Sequence, residues 1–169
     1  INIHVVPTGR LSGNAPNLLN QPSEVRGIFI ADEGNKLVTG DWSALELRLN
    51  GLVTGDETMK KIFADFDSGK GLKPHVVNAS IIFGLKAEPE LEQKHPGPYR
   101  AAKCAIYACS YGSGPSTVFE QMLKEEPNLK WDEFIIIYER LKKAYPHFFQ
   151  NQVDTVLLGI KQGYLDSPV

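Results

Sequence analysis

Tyr99-Arg100-Ala101-Ala102-Lys103-Cys104-Ala105-Ile106-Tyr107-Ala108-Cys109-Ser110-Tyr111-Gly112 is the stretch that decides how this chain folds. Tyr99–Tyr111 reads as one long helix, ended by Gly112 and Gly114. Positions 99, 103, 107 and 111 are four apart, so on a helix they drift slowly around the axis and form one stripe: Tyr, Lys, Tyr, Tyr. Ala101, Ala102, Ala105 and Ala108 leave room for a close neighbour. A cation flanked by aromatic faces suits a phosphate beside a base, because the ammonium meets the anion as a point charge and a ring can stack on base or sugar. The commoner use of such spacing is a half-buried core face with hydroxyls in water and a snorkelling Lys. Spacing alone leaves both uses open.

Outward from this helix, most of the chain is helical. The pattern predicts helices over Asp56–Phe66, Pro74–Phe83, Ser116–Lys124 and Trp131–Ala144, with a last one from Pro146 to about Gln162. Gly69-Lys70-Gly71 and the Pro-rich 86–98 stretch read as loops. Towards the N-terminus the signal changes. Gly27–Asp32 and Lys36–Asp41 are β-prone runs separated by the turn residues Glu33-Gly34-Asn35, which predicts a hairpin. Ser43 is then expected to open a helix, with Ser43 and Glu46 at capping-box spacing. The expected class is α+β, a small β-hairpin followed by a mostly helical body, with a subdomain boundary near Gly55. Residues 1–26 read as an irregular lead-in, and no repeat or low-complexity stretch occurs.

The composition is that of an ordinary soluble domain: 169 residues, 42% hydrophobic and 22% charged. A net charge of −2 means that any nucleic-acid contact must come from local basic patches. No apolar run is long enough to span a membrane, and no signal peptide is visible. The missing initiator Met and the abrupt end at Val169 read as cuts. Cys104 and Cys109, five apart, point to different sides of a helix, so neither a disulfide between them nor a zinc site is expected, and a reducing compartment fits.

Two further positions carry chemistry. Asp41 leaves the second β-prone run just before a helix, a platform for a hard cation such as Mg²⁺, with the main-chain carbonyl of Trp42 as a second oxygen. The plainer reading is that Asp41 and Glu46 belong to helix caps. His75 follows Pro74 in the first turn of its helix, where an imidazole can add a donor to a bound anion; a surface histidine near a cap explains it equally well.

Taken in order, these segments resemble the family A DNA polymerases, the bacterial and phage DNA polymerase I type. Asp41-Trp42-Ser43-Ala44-Leu45-Glu46-Leu47-Arg48 resembles motif A, usually Asp-Tyr-Ser-Gln-Ile-Glu-Leu-Arg. Lys103, Tyr107 and Tyr111-Gly112 resemble motif B on the mobile fingers helix. Thr8-Gly9-Arg10-Leu11-Ser12 with Pro16-Asn17-Leu18 resembles the family lead-in, and Pro74-His75 through Phe83-Gly84 its His-bearing helix. The resemblance implies a partial palm over 1–55 and fingers over 56–169. It implies that Asp41, with the Trp42 carbonyl, binds two Mg²⁺ ions in the full-length parent, and that Lys103 is catalytic and, with His75, holds the triphosphate of a deoxynucleoside triphosphate. Tyr107 would pack on the sugar, where a tyrosine is linked to tolerance of dideoxynucleotides, and Glu46 would exclude a ribose 2′-hydroxyl. Tyr111 and Gly112 would lie at the templating position. Arg10, and with it Asn17, would contact the primer–template DNA.

The pattern is broken at several places. The family has Arg four residues before the motif B Lys; here Tyr99 stands there, with Arg100 beside it as the substitute to hold the triphosphate. Trp42 replaces the usual Tyr, and Leu19 stands where a Gln often contacts DNA. No His-Asp-Glu of motif C occurs, so the remaining polymerase segments, including motif C, are expected partners and the isolated fragment is expected to be inactive. A non-catalytic nucleotide- or DNA-binding module is the alternative. A helical Mg²⁺-dependent phosphohydrolase is a weaker one, since Asp65-Phe66-Asp67 is the lone Asp-x-Asp and reads as solvated surface. The resemblance places the parent in the cytoplasm of a bacterial or phage-infected cell, without a membrane.

Overall fold

The computed structural model describes residues 13, 21–38 and 40–165. Contacts divide the chain into two compact units, Ile1–Trp42 and Ser43–Val169.

In the first unit, Ser23–Ile28 forms a 3-10 helix, and the backbone NH of Asn35 donates to the Asp32 carbonyl at 2.9 Å to close a turn at Gly34, where φ is +80°. The turn chemistry at 33–35 therefore acts as a turn. The flanking hairpin does not form: there is no strand among the described residues, and the class is all-helical rather than α+β. The physical reason lies in the side chains of the two runs. Ile28, Ile30, Leu37 and Val38 all stay exposed, Val38 to 90%. A lone two-stranded ribbon that buries no face is marginal in water, and β-propensity expresses packing more than a backbone preference.

The second unit contains helices α1 (Leu45–Val53), α2 (Glu57–Asp67), α3 (Pro74–Phe83), α4 (Leu91–Lys94), α5 (Pro96–Ser110), α6 (Pro115–Leu123), α7 (Trp131–Ala144) and α8 (Pro146–Gln162). Prolines open α3, α5, α6 and α8 at the position where a missing NH costs nothing. The Pro-rich loop expected over 86–98 instead holds α4 and the first turn of α5. No helix among the described residues is long and apolar enough to cross a membrane.

The capping box expected at Ser43 is absent. Residue Ala44 precedes α1 in the left-handed region, φ +51°, with no side-chain cap. Arg48 does the joining there. Its Nε donates to the Ser43 carbonyl at 2.9 Å, its two terminal nitrogens donate to the Asp67 carboxylate at 2.6 and 2.8 Å, and its guanidinium lies 4.5 Å from the centre of the Phe63 ring. Asp67 is thus tied to α1 rather than simply solvated, and Asp65 pairs with Lys61 on its own helix.

The core is built on α5, which packs against α3 on one side and α6 on the other. Ala101, Ala102 and Ala105 are essentially inaccessible, as are Val76, Ala79 and Ile82 of α3 and Val118 and Met122 of α6. Phe119, Trp131, Phe134, Tyr138 and Phe149 extend this core as a run of tilted and edge-on rings, with centroids 5.1 to 6.0 Å apart. Both cysteines are free, and burial pushes the Cys109 thiol up to about 12.

One buried carboxylate ties the ends of the unit together. Asp56 is 1% exposed; its Oδ1 accepts from the Met59 NH at 3.1 Å, capping α2, and its Oδ2 accepts from the Phe148 NH at 3.2 Å, in the first turn of α8. Nearby, the buried Tyr145 hydroxyl donates to Asn78 Oδ1. Burial first, and then the Asp56 charge, raises the Tyr145 phenol well above its ordinary value. A doubly capping, desolvated carboxylate is hard to replace. Asp56→Ala is expected to destabilise the chain by about 2–3 kcal/mol in urea unfolding. Asp56→Asn, which keeps one acceptor, should lose less. Equal midpoints for Asp56→Ala and the unmodified chain would show that the double cap contributes nothing.

Candidate functional site

The stripe on α5 is present, and the helix twists it from core to solvent. Each four-residue step advances about 40° beyond a full turn. Tyr99 is accordingly buried, Lys103 exposed, Tyr107 half-buried and Tyr111 64% exposed. The Tyr99 ring therefore belongs to the wall of the site.

α3 supplies the next group. The His75 ring sits edge-on to Tyr99, with centroids 6.4 Å apart at 90°, and tilted at 49° to Tyr107 at 5.8 Å. Burial among these rings, reinforced by the neighbouring Lys103 charge and opposed by Glu92, lowers His75 from the ordinary 6.5 to about 4. The imidazole is therefore neutral at pH 7. His75 Nδ1 is buried without a hydrogen-bond partner. A neutral imidazole carries one N–H, so the ring can donate one hydrogen bond. His75, Lys103 and Tyr107 thus form one group: a neutral NH donor, a cation and an aromatic edge. Lys103 has no ion-pair partner among the described residues.

The opposite flank of α5 faces a cleft of about 550 Å³ shared with α6, bordered by Lys103, Cys104, Tyr107, Tyr111, Gln121 and Glu125. Lys103 and Tyr107 border both this cleft and the His75 corner. Arg100 also lines the cleft, yet its Nε donates to Glu125 Oε2 at 2.6 Å, so it is already ion-paired.

Glu46 and Tyr111 are brought together, with the Tyr111 hydroxyl donating to Glu46 Oε1 at 2.7 Å. Gly112 holds φ +74° after α5, and the Ser113 NH reaches back to the Ala108 carbonyl at 3.0 Å, a six-residue C-terminal closure that needs the left-handed residue. The sequence signals did not expose the bonds Tyr111–Glu46, Arg100–Glu125 or Tyr145–Asn78, because each joins residues at least 25 apart with no local periodicity.

Asp41 and Trp42 belong to the first unit, exposed and outside regular secondary structure; Asp41 does not end a strand, because the second β-prone run forms none. Among the described residues no group of three or more His, Cys, Asp or Glu is placed to hold a metal ion. Arg10 and Asn17 lie outside the described residues.

A pH signature follows from His75. In the unfolded chain its imidazole takes a proton near 6.5, in the fold only near 4. Between these values the unfolded state binds more protons, so stability falls as the pH drops through this window, and the group adds no pH dependence above it. His75→Gln should flatten the urea midpoint between pH 6.5 and about 5, above the range where the ion-paired Asp67 and Glu88 titrate. Identical slopes for the two chains would place the imidazole in water.

The model of DNA polymerase family A matches residues 1–166. The thermostable DNA polymerase I of Thermus thermophilus is 31% identical over 166 residues, covering 95% of this chain and 18% of that protein. DNA polymerase I of Chloroflexus aurantiacus is 37% identical over 111 residues, 62% of this chain and 11% of that protein. DNA polymerase I A, chloroplastic/mitochondrial, of Arabidopsis thaliana is 36% identical over 129 residues, 62% of this chain and 12% of that protein. The chain spans less than a fifth of the length of these relatives. With a match over nearly its whole length, the chain belongs to DNA polymerase family A.

Proposed function

We propose that this chain is the nucleotide-gripping segment of a DNA-directed DNA polymerase, with residues 1–55 as palm and 56–169 as fingers. The observation that carries the reading is the corner on α3 and α5, where His75, Lys103 and Tyr107 adjoin one another. A triphosphate needs charge, directed donors and a flat apolar contact for what it carries. Lys103 offers the charge, His75 a neutral N–H donor and Tyr107 the aromatic contact beside a sugar. A neutral donor keeps its orientation without drawing the phosphate away from the cation.

The remaining assignments follow the family pattern. Glu46, which accepts from Tyr111, would crowd a 2′-hydroxyl and so favour deoxynucleotides. Exposed Tyr111, with Gly112 turning the chain after it, would stack at the template, and Arg10 and Asn17 would hold the duplex. Arg100, engaged by Glu125, is a poor second cation unless that pair opens. The Asp41 carboxylate and Trp42 carbonyl are hard oxygen ligands suited to Mg²⁺, but they do not complete a site by themselves. Bound Mg²⁺ would activate the primer hydroxyl and stabilise the leaving pyrophosphate.

In the full-length polymerase, Asp41→Ala is expected to reduce primer extension by roughly a thousandfold, because a catalytic metal contributes several kcal/mol. DNA affinity should stay nearly intact, and loss of DNA binding in proportion to activity would instead favour a binding role for Asp41. The isolated 169 residues, with no His-Asp-Glu, are expected to give no extension in the same assay. Tyr107→Phe should raise discrimination against dideoxynucleotides, by roughly tenfold if one hydroxyl contact is lost. An unchanged ratio of incorporation would remove Tyr107 from the sugar.

A further inference from the structure

A triphosphate carries several negative charges, yet among the described residues the corner supplies one cation without an ion-pair partner, Lys103. His75 is neutral, Tyr99 is an uncharged buried phenol, and Arg100 is ion-paired with Glu125 at 2.6 Å. Another cation stands at the start of α3. Lys73 stands at the residue before Pro74, two before His75, and its exposed ammonium lies 3.2 Å from Glu92 Oε2. Lys73 is thus held at the N-cap of α3, next to the turn that carries His75, with Glu92 of α4 as the anion that engages it there; the Glu92 charge also acts on His75 and Tyr99.

We propose that Lys73 is the second triphosphate-binding cation of this polymerase, parked on Glu92 in the free protein and transferred to a phosphate oxygen when a nucleotide arrives. Exposed ion pairs of this kind are weak and screened by salt, whereas a charge-assisted bond to a multiply charged phosphate is strong. The exchange is therefore downhill and leaves Glu92 solvated, since its side chain is 44% exposed.

The inference rests on the polymerase reading, and steady-state kinetics on the full-length enzyme separate the two. Lys73→Ala is expected to raise the KM for a deoxynucleoside triphosphate roughly tenfold, with kcat within about twofold. Glu92→Gln is expected to act in the opposite direction, lowering KM by roughly two- to threefold, because it frees the lysine. A merely structural ion pair would move both variants the same way or neither. Unchanged KM in Lys73→Ala, a KM raised by Glu92→Gln, or a defect confined to Arg100→Ala would overturn the assignment. Lys103→Ala serves as the reference. If it raises KM while Lys73→Ala does not, only this inference falls; if it leaves KM unchanged, the nucleotide site falls with it.

Discussion

The close approach of α3 to α5 governs everything else in this unit. Side-chain size permits it: Ala101, Ala102 and Ala105 of α5 are buried with essentially no exposure, as are Val76, Ala79 and Ile82 of α3, which packs against that helix. Interiors pack at the density of organic crystals, so a larger residue at those alanines would force the helices apart. At their present spacing the first turn of α3 slides its imidazole against Tyr99 and Tyr107, and Lys103 is left on the open side of the same turn.

That packing has an electrostatic consequence. A net charge of −2 gives no overall field that would draw in an anion, so any anion binding would depend on local arrangement. Desolvation keeps His75 uncharged, and the adjacent Lys103 pushes in the same direction. The imidazole and the ammonium therefore differ in kind, a neutral group that can donate one directed hydrogen bond and a point charge. Other cations of the unit are paired: Arg100 with Glu125, Lys73 with Glu92, Arg48 with Asp67. Family membership accounts for the order of these elements along the chain, and the pairings show how this particular sequence uses them.

Much of the helical body was legible. Pro74, Trp131 and Pro146 mark helix starts where the sequence places them, and Gly112 ends α5 in the left-handed conformation it needs. Lys103 and Tyr107 were visible as a stripe, and His75 as a first-turn residue. Three things were not legible. The hairpin over 27–41 was read from β-propensity, which counts for little where Ile30 and Val38 bury nothing. The capping box at Ser43 was outcompeted by Arg48, which gains two carboxylate bonds and a ring contact that no local rule reveals. The burial of Tyr99 depends on the 40° drift of the stripe and on where α3 lies, and spacing on one helix specifies neither.

On the proposed reading, the ammonium on α5 beside His75 would meet a nucleotide triphosphate. Lysine acetylation followed by mass spectrometry, on the full-length polymerase with and without a saturating deoxynucleoside triphosphate, tests it directly. The account predicts that Lys103 is modified readily in the free enzyme and protected by the nucleotide, while exposed Lys143 on α7 reacts at the same rate in both. Acetylation of Lys103 at an unchanged rate under saturating nucleotide would contradict it.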